Sequence, residues 1–447
     1  MATPDKIDTH QKALSINLDS TIFGSFAEIG AGQEVARWFL RVGAASGTVA
    51  KTISAYDKEV SDDLYGSGTR YVSKPRLEAM LDNEWGQLLG QLHETRGTTA
   101  KFFAFVDTIS ARNFAGTNDC HGWMGLRFLL RPGGQPSQIL LHVNLRDSTN
   151  VRQQEAVGIL GVNLIYAVHH ALQSPEAFLA SLFADLSLHR MEIDCLELSG
   201  PAFERWDRAL VHAVLVAGGY AEAVAFPLDH QYLPANELLY KRALVLAPGR
   251  FDSVAQLHGE LIRWTLAVVP EPEVNDSKGA LGLFCLSTAP GNGEERHVTA
   301  EEIVSHVVEL QKLGYGVMTF RARELYTMSA FVNRYTKSQI HFAIGLTVLV
   351  RLMQDSYKNL QGSLLEGIAR LFSQNVRLTV YPMSAAEVEG RVQAAGLTGW
   401  SWKVTDGMVY ANELYPNAPL GHLYQYLLSS GFIRIGTPSE GQAAATS

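Results

Sequence analysis

The chain of 447 residues is poor in cysteine: only Cys120, Cys195 and Cys285 occur, far apart and odd in number. That spacing excludes a disulfide framework and any C-x-x-C metal site, so no metal is expected and the reducing cytoplasm is the expected home. Long hydrophobic runs are missing as well. The longest, AVGILGVNLIYAVHHAL at residues 156–172, contains Asn163, His169 and His170. It falls short of the roughly 20 residues of a membrane span, so it reads as a core helix and no membrane partner is expected. The first residues, MATPDKIDTHQK, mix charges and do not read as a signal peptide. Basic clusters are also lacking. Lys+Arg total 37 against Asp+Glu 45, a net charge of −8, and no basic stripe stands ready to neutralise phosphates, which excludes nucleic acid as a partner. No G-x-S-x-G elbow, G-x-x-x-x-G-K-[ST] loop or H-E-x-x-H helix occurs, which excludes the commonest hydrolases and P-loop NTPases.

What is present fits a folded protein: 47% hydrophobic and 18% charged residues. A chain this long implies roughly two or three domains. The pattern divides it into an α+β region at 1–150, a mixed α/β region at 151–270 and a doubly wound α/β domain at 271–435. A polar tail at 436–447 reads as disordered. In the first region, residues 71–92 carry apolar residues at helical steps, with Pro75 where a first turn tolerates it. Three short apolar runs follow at 101–106, 123–130 and 138–143. Arg131-Pro-Gly-Gly before the last suggests a hairpin. Strands also read at 191–198, 221–226 and 243–246. Beyond the acidic stretch PEPEVNDS (270–277), strands at 280–287, 315–320, 340–344 and 376–381 alternate with helices at 299–313, 324–337 and 347–372. Thr299 and Glu302 form a capping box for the first of these helices. Such alternation predicts a parallel sheet with helices on both faces, making the fold class α/β with a doubly wound C-terminal part.

The stretch FAEIGAGQEVARWFL (26–40) is the most suggestive. Gly30 and Gly32 would let the backbone approach a ligand, and amides at a helix start attract anions, so Gly30, Gly32 and Gln33 are candidate cofactor-binding residues. The order also resembles the first motif of S-adenosylmethionine-dependent methyltransferases, with Glu34 where a third glycine is usual. A dinucleotide turn would want that glycine one residue later, where Val35 stands. The competing reading is a tight strand-to-helix turn. A second candidate is the loop DTISARNFAGTNDCHGW (107–123), with Arg112, Asp119 and Cys120. Its Asp107 and His121 are candidate catalytic residues. His169 and His170 read as a helix C-terminus. On the expected rim of the parallel sheet, Ser287, Arg321 and Thr347 are placed to hold an anion, with Arg321 as a cofactor-binding candidate.

Five stretches, INLDSTIFGSFAEIGAGQEVARWFLRVG, RYVSKPRLEAMLD, CHGWMGLRF, NVRQQEAVGILGVNLIY and MSAFVNRYTKSQIHFAIG, resemble a large bacterial family of cytoplasmic proteins over nearly the whole chain. Its members carry one of two names, nicotinate-nucleotide adenylyltransferase or TonB-dependent receptor. The first would need H-x-G-H after an early strand; the nearest fragments here are His121-Gly-Trp and His258-Gly-Glu. The second would need a signal peptide and many alternating strands of about ten residues. The expectation is a cytoplasmic α/β protein binding a small anionic ligand of nucleotide type, with transferase activity, and the cofactor itself is not specified. Adenylyl transfer to nicotinate mononucleotide is a narrower version of it. The alternative is a non-catalytic assembly protein, with a homo-oligomer as one form.

Overall fold

The computed structural model describes residues 7–68, 70–269, 279–290, 298–355, 357–372, 375–394 and 398–437. The acidic stretch at 270–277 and nearly all of the polar tail lie outside the described residues. The protein is of the α/β class, and it divides into two compact units: Met1–Val224 with Thr299–Val304, and Ala225–Val298 with Ser305–Ser447.

The strands of the N-terminal unit are β1 (Ile22–Ile29), β2 (Val49–Ile53), β3 (Lys101–Ser110), β4 (His121–Phe128), β5 (Ser137–Leu145) and β6 (Met191–Ser199). Among the described residues they form a six-stranded sheet in the order β2-β1-β3-β4-β5-β6. β1 runs parallel to β2 and β3, while β3 to β6 form an antiparallel meander that includes the expected hairpin. Around them lie α1 (Thr9–Leu18), α2 (Glu34–Val42), α3 (Lys58–Tyr65), α4 (Lys74–Arg96), α5 (Asn150–His170), α6 (Pro175–Leu182) and α7 (Arg208–Ala217). The long apolar run becomes α5, buried from Ala156 to Ile165. α5 covers the sheet face that carries Phe105; a Cβ on its Gly161 would lie 3.1 Å from that ring. α4 covers the opposite face, its Leu77 and Leu81 packed over Gly125.

The second sheet starts with β7 (Ala223–Phe226), where the chain passes between units. It continues with β8 (Leu244–Gly249), β9 (Leu281–Ser287), β10 (Gly316–Phe320), β11 (Ile340–Gly345), β12 (Val376–Tyr381) and, last in the chain, β17 (Ile433–Ile435). Again among the described residues, these seven strands lie in the order β17-β12-β11-β8-β9-β10-β7. The five pairings from β10 through β9, β8, β11 and β12 to β17 are all parallel. Two small antiparallel pairs stand apart from it: β13 (Met383–Ser384) with β15 (Met408–Val409), and β14 (Trp400–Trp402) with β16 (Leu414–Pro416).

Helices of this part are α8 (Ala235–Leu238), α9 (Gln256–Leu266), α10 (Ala300–Gln311), α11 (Leu325–Val332), α12 (Leu346–Gln354), α13 (Ser363–Leu371), α14 (Ala385–Ala394) and α15 (Leu420–Ser429). α9 packs Ile262 and Leu266 on Gly282, whereas α11 sets Phe331 edge-on to Phe320 at 5.4 Å. Phe320 pairs with Ser287, an odd step from Gly282, so the two helices cover opposite faces. This is the doubly wound arrangement read from the sequence. The capping box also forms: the Thr299 amide donates to the Glu302 carboxylate at 2.9 Å, and the Glu302 amide donates to Thr299 Oγ1 at 3.3 Å. The region read as one helix at 347–372 is two, α12 and α13, and no described helix is long and apolar enough to cross a membrane.

Candidate functional site

The glycine turn does join β1 to α2, with Gly30 at φ +101° and Gly32 at φ +81°. A Cβ at Gly30 would sit 1.8 Å from the Ile109 carbonyl oxygen, so this glycine is required by the close approach of β1 to β3. The amides beyond it are occupied by the chain itself. Glu28, 1% exposed, accepts hydrogen bonds from the amides of Val35 and Ala36, each at 2.9 Å, and takes the place an anionic ligand was expected to fill. Gln33 turns its amide to Thr52 Oγ1 at 3.2 Å, and Glu34 pairs with Arg37. An open groove of about 450 Å³ nearby is lined by Gln33, Glu34, Ala36, Arg37, Leu40, Arg41 and Thr52, and by neither turn glycine.

Asp107 lies directly beside Glu28 in the β1–β3 register and is fully buried. Its Oδ1 accepts from the Ile29 amide at 3.1 Å, and its Oδ2 has no hydrogen-bond partner. Burial, and then the nearby Glu34 charge, push the Glu28 carboxyl up to about 7, against the pull of the helix amides. Burial and the Glu28 charge likewise push Asp107 well above the carboxylate range. Two carboxyls side by side in a dry interior cannot both ionise, so near neutrality the pair carries no more than one negative charge.

His121 stands elsewhere. In the β3–β4 register it faces Ser110, whereas Asp107 faces Met124. Positions an odd step apart point to opposite faces, so Asp107 lies under α5 and His121 on the α4 side. The structure does not bring these two candidates together. It instead joins His121 to two residues that the sequence reading did not single out. His121 Nδ1 lies 3.0 Å from His142 Nε2, and His142 Nδ1 lies 2.6 Å from Asp194 Oδ1. His142 and Asp194 are buried, and Trp123 packs edge-on to the His142 ring at 5.1 Å. The register shift between His142 and Val143 explains the reach: Asp194 is the extra residue of a β-bulge in β6, aimed at the neighbouring strand. Burial, then the adjacent His142, lower His121 to about 4; Arg70 acts in the same direction, and Asp119 and Asp194 oppose it.

On the rim of the C-terminal sheet, Ser287 Oγ donates to the Ala322 carbonyl at 2.9 Å, and Thr347 Oγ1 lies 3.9 Å from Met383 Sδ. Arg321 follows β10 and Ser287 ends β9, so they are neighbours. Thr347 follows β11, and β8 intervenes between β9 and β11. At roughly 4.8 Å per strand, that separation is too wide for one small anion to touch all three. The end of β8 supplies Pro248, Gly249 and a half-buried Arg250, whose Nε lies 3.7 Å from Asp252 Oδ1. Phe251 closes over Gly249 and meets Phe284 at 5.5 Å.

No protein-family profile and no curated protein matches the chain, so neither of the two family names gains support. Solved bacterial structures do match. A competence/damage inducible protein from Agrobacterium tumefaciens is 20% identical with a TM-score of 0.26, covering 37% of this chain and 98% of its own. A CinA superfamily protein from Enterobacter cloacae is 12% identical with a TM-score of 0.27, covering 37% and 95%. One from Escherichia coli is 14% identical with a TM-score of 0.25, covering 42% and 95%.

Chemically, the described residues offer two different settings. The carboxyl pair Glu28–Asp107 is inward, dry and tied to a helix cap. The chain Asp194–His142–His121 runs from the interior to a half-buried imidazole, an arrangement suited to moving a proton. No described cluster of three or more His, Cys, Asp or Glu residues is arranged to hold a metal ion.

Proposed function

We propose that the C-terminal unit binds a phosphorylated small molecule of nucleotide type in the crevice beyond the C-terminal ends of β8 and β11. The observation that carries this reading is the strand order. Taking β8 as the first strand, the parallel part reads 3-2-1-4-5-6, and the direction of winding reverses between β8 and β11. Open α/β sheets bind ligands at that switch point, where two neighbouring crossovers diverge and leave a cleft. Arg250 follows β8 at the cleft, and Arg321 follows β10 on the side where a nucleoside would extend. Both carry permanent positive charge suited to phosphate. The turn after β8 has one glycine and a closed Phe251 rather than G-x-G-x-x-G, which favours a mononucleotide over a dinucleotide.

Calorimetric and thermal-shift titration with AMP, ATP, NAD, S-adenosylmethionine and nicotinate mononucleotide tests the proposal. A ligand at about 100 times its Kd stabilises by about 2.7 kcal/mol, which in a unit of this size raises Tm by roughly 5 °C or more. Arg250→Ala and Arg321→Ala should each weaken binding. No response to any of the five at millimolar concentration would remove the reading.

A further inference from the structure

We propose that the groove between α2 and the outer edge of β2 receives an extended acidic peptide, which adds to the N-terminal sheet as a further strand. Three observations meet there. β2 is the end strand of its sheet and pairs only with β1 among the described residues, so one side of its backbone faces outward unpaired. α2 lies beside that edge, where Gln33 at its start donates to Thr52 Oγ1 of β2 at 3.2 Å. Between them opens the groove of about 450 Å³, whose helix side is formed by Gln33, Ala36, Arg37, Leu40 and Arg41. Those residues recur at steps of three and one, a single face of α2. The far face of the helix is taken, since Cβ atoms at Gly158 and Gly161 of α5 would meet Glu34 and Val35. An edge strand beside a helix is a setting for strand addition, in which main-chain hydrogen bonds give affinity and side chains give specificity.

Charge selects the partner. Two arginines against Glu34 leave the lining positive, in a chain whose net charge is −8. Arg37 and Arg41 stand one turn apart on the groove face, roughly 6 Å along the helix. Alternate side chains of an extended peptide lie roughly 6.7 Å apart on one face, so two acids separated by one residue match the two arginines. Arg41 has no ion pair among the described residues, and its guanidinium lies 5.9 Å from the centre of the Trp38 ring. Arg37 directs one terminal nitrogen to Glu34 at 3.1 Å and keeps further N–H donors for a second carboxylate. Nothing on β2 guards the edge with charge: Lys51, an odd step from Thr52, is turned to the other face and held by Glu84 at 2.6 Å. The irregularity in the β1–β2 register falls before Lys51, which leaves residues 51–53 regular for pairing.

The probe is the fluorescein-labelled peptide Ser-Thr-Glu-Val-Glu-Thr-Ser, titrated into the full chain at low salt and followed by anisotropy. It should bind saturably, one per chain, and bring new hydrogen-exchange protection to residues 49–53. N-methylating its three central residues one at a time should weaken binding about tenfold at alternate positions only, because every second amide faces β2. Arg37→Ala and Arg41→Ala should each weaken binding about fivefold. The double variant Arg37→Glu/Arg41→Glu should prefer the peptide with lysine in place of both glutamates. Both arginines are exposed, so the variants should fold, which circular dichroism checks. No saturable binding at millimolar concentration, equal binding of the lysine peptide by the parent, or no alternation among the N-methylated probes would overturn the proposal. So would protection of residues 49–53 by self-association without peptide, since a second copy would then hold the edge.

Discussion

Replacing Asp107 by asparagine should make the N-terminal unit more stable at pH 8, although Asp107 is fully buried and hydrogen-bonded. The Glu28 carboxyl has a folded value of about 7 against an ordinary 4.5. Because the folded value is raised, the folded protein binds the proton more tightly than the unfolded chain. Stability is therefore full below pH 4.5 and falls as pH rises through 7, by on the order of 3 kcal/mol for this group. The loss arises because burial, and then the Glu34 charge, disfavour the charged form of Glu28; burial and the Glu28 charge push Asp107 up in the same sense, so Asp107 adds a loss of its own that asparagine removes. The substituted amide side chain keeps an oxygen for the Ile29 amide and puts an N–H donor where Oδ2 of Asp107 now lacks a partner. Glu28 could then ionise as the cap of α2 without a second acid beside it, and charge-assisted bonds to the Val35 and Ala36 amides would strengthen. The expected gain at pH 8 is about 2 kcal/mol, shrinking to zero or reversing at pH 5. Buried histidines act in the opposite sense: His121, His169, His212 and His341, lowered to about 4, add stability as pH rises from 4 to 6.5. The informative quantity is thus the difference between variant and parent, in which those groups cancel. Urea unfolding followed by tryptophan fluorescence at pH 5, 6, 7 and 8 measures it. A difference that is independent of pH, or a variant weaker than the parent at pH 8, would refute this account of the two carboxyls.

Gly30→Ala should cost more than about 3 kcal/mol, since a Cβ would meet the Ile109 carbonyl at 1.8 Å and φ is +101°; the same urea assay reads it, and a near-neutral result would contradict the packing of β1 on β3. Phe26→Ala should cost about 3–5 kcal/mol, because Phe26 touches Phe39 and Phe103 with centroids at 5.3 and 5.4 Å in a fully buried cluster. Thr299→Ala should cost only about 1 kcal/mol through loss of the α10 cap, measurable as a small drop in urea midpoint at unchanged slope.

Where chain neighbours decide the structure, the sequence was readable. The apolar run at 156–172 lies in one helix as far as His170, Pro75 falls in the first turn of α4, and the Thr299–Glu302 spacing forms the cap it implies. Alternating strands and helices after 280 produced parallel pairing. Two features escaped, one through distant pairing and one at a helix end. β8 was visible as a strand, but its place at the centre of the C-terminal sheet comes from contacts with β9 and β11. The helix expected at 324–337 stops at Val332, beyond which the Arg334 and Tyr335 amides bond only three residues back.

The same distinction governs the polar groups. Asp107 and His121 are close along the chain and flank one loop, so proximity suggested a pair. Ser110, the residue facing His121, is three steps from Asp107, and an odd step on a strand changes face. His121 depends instead on His142, 21 residues on, and His142 on Asp194, 52 residues beyond that. A signal for both was present: each is a polar residue flanked by apolar ones within a strand, LLHV and IDCL. A buried polar group must find a partner or destabilise the fold, so such interruptions mark where strands exchange side-chain hydrogen bonds. Glu28 is the same case at the end of β1: its carboxylate meets α2 amides seven and eight residues on, which makes the glycine turn self-capped.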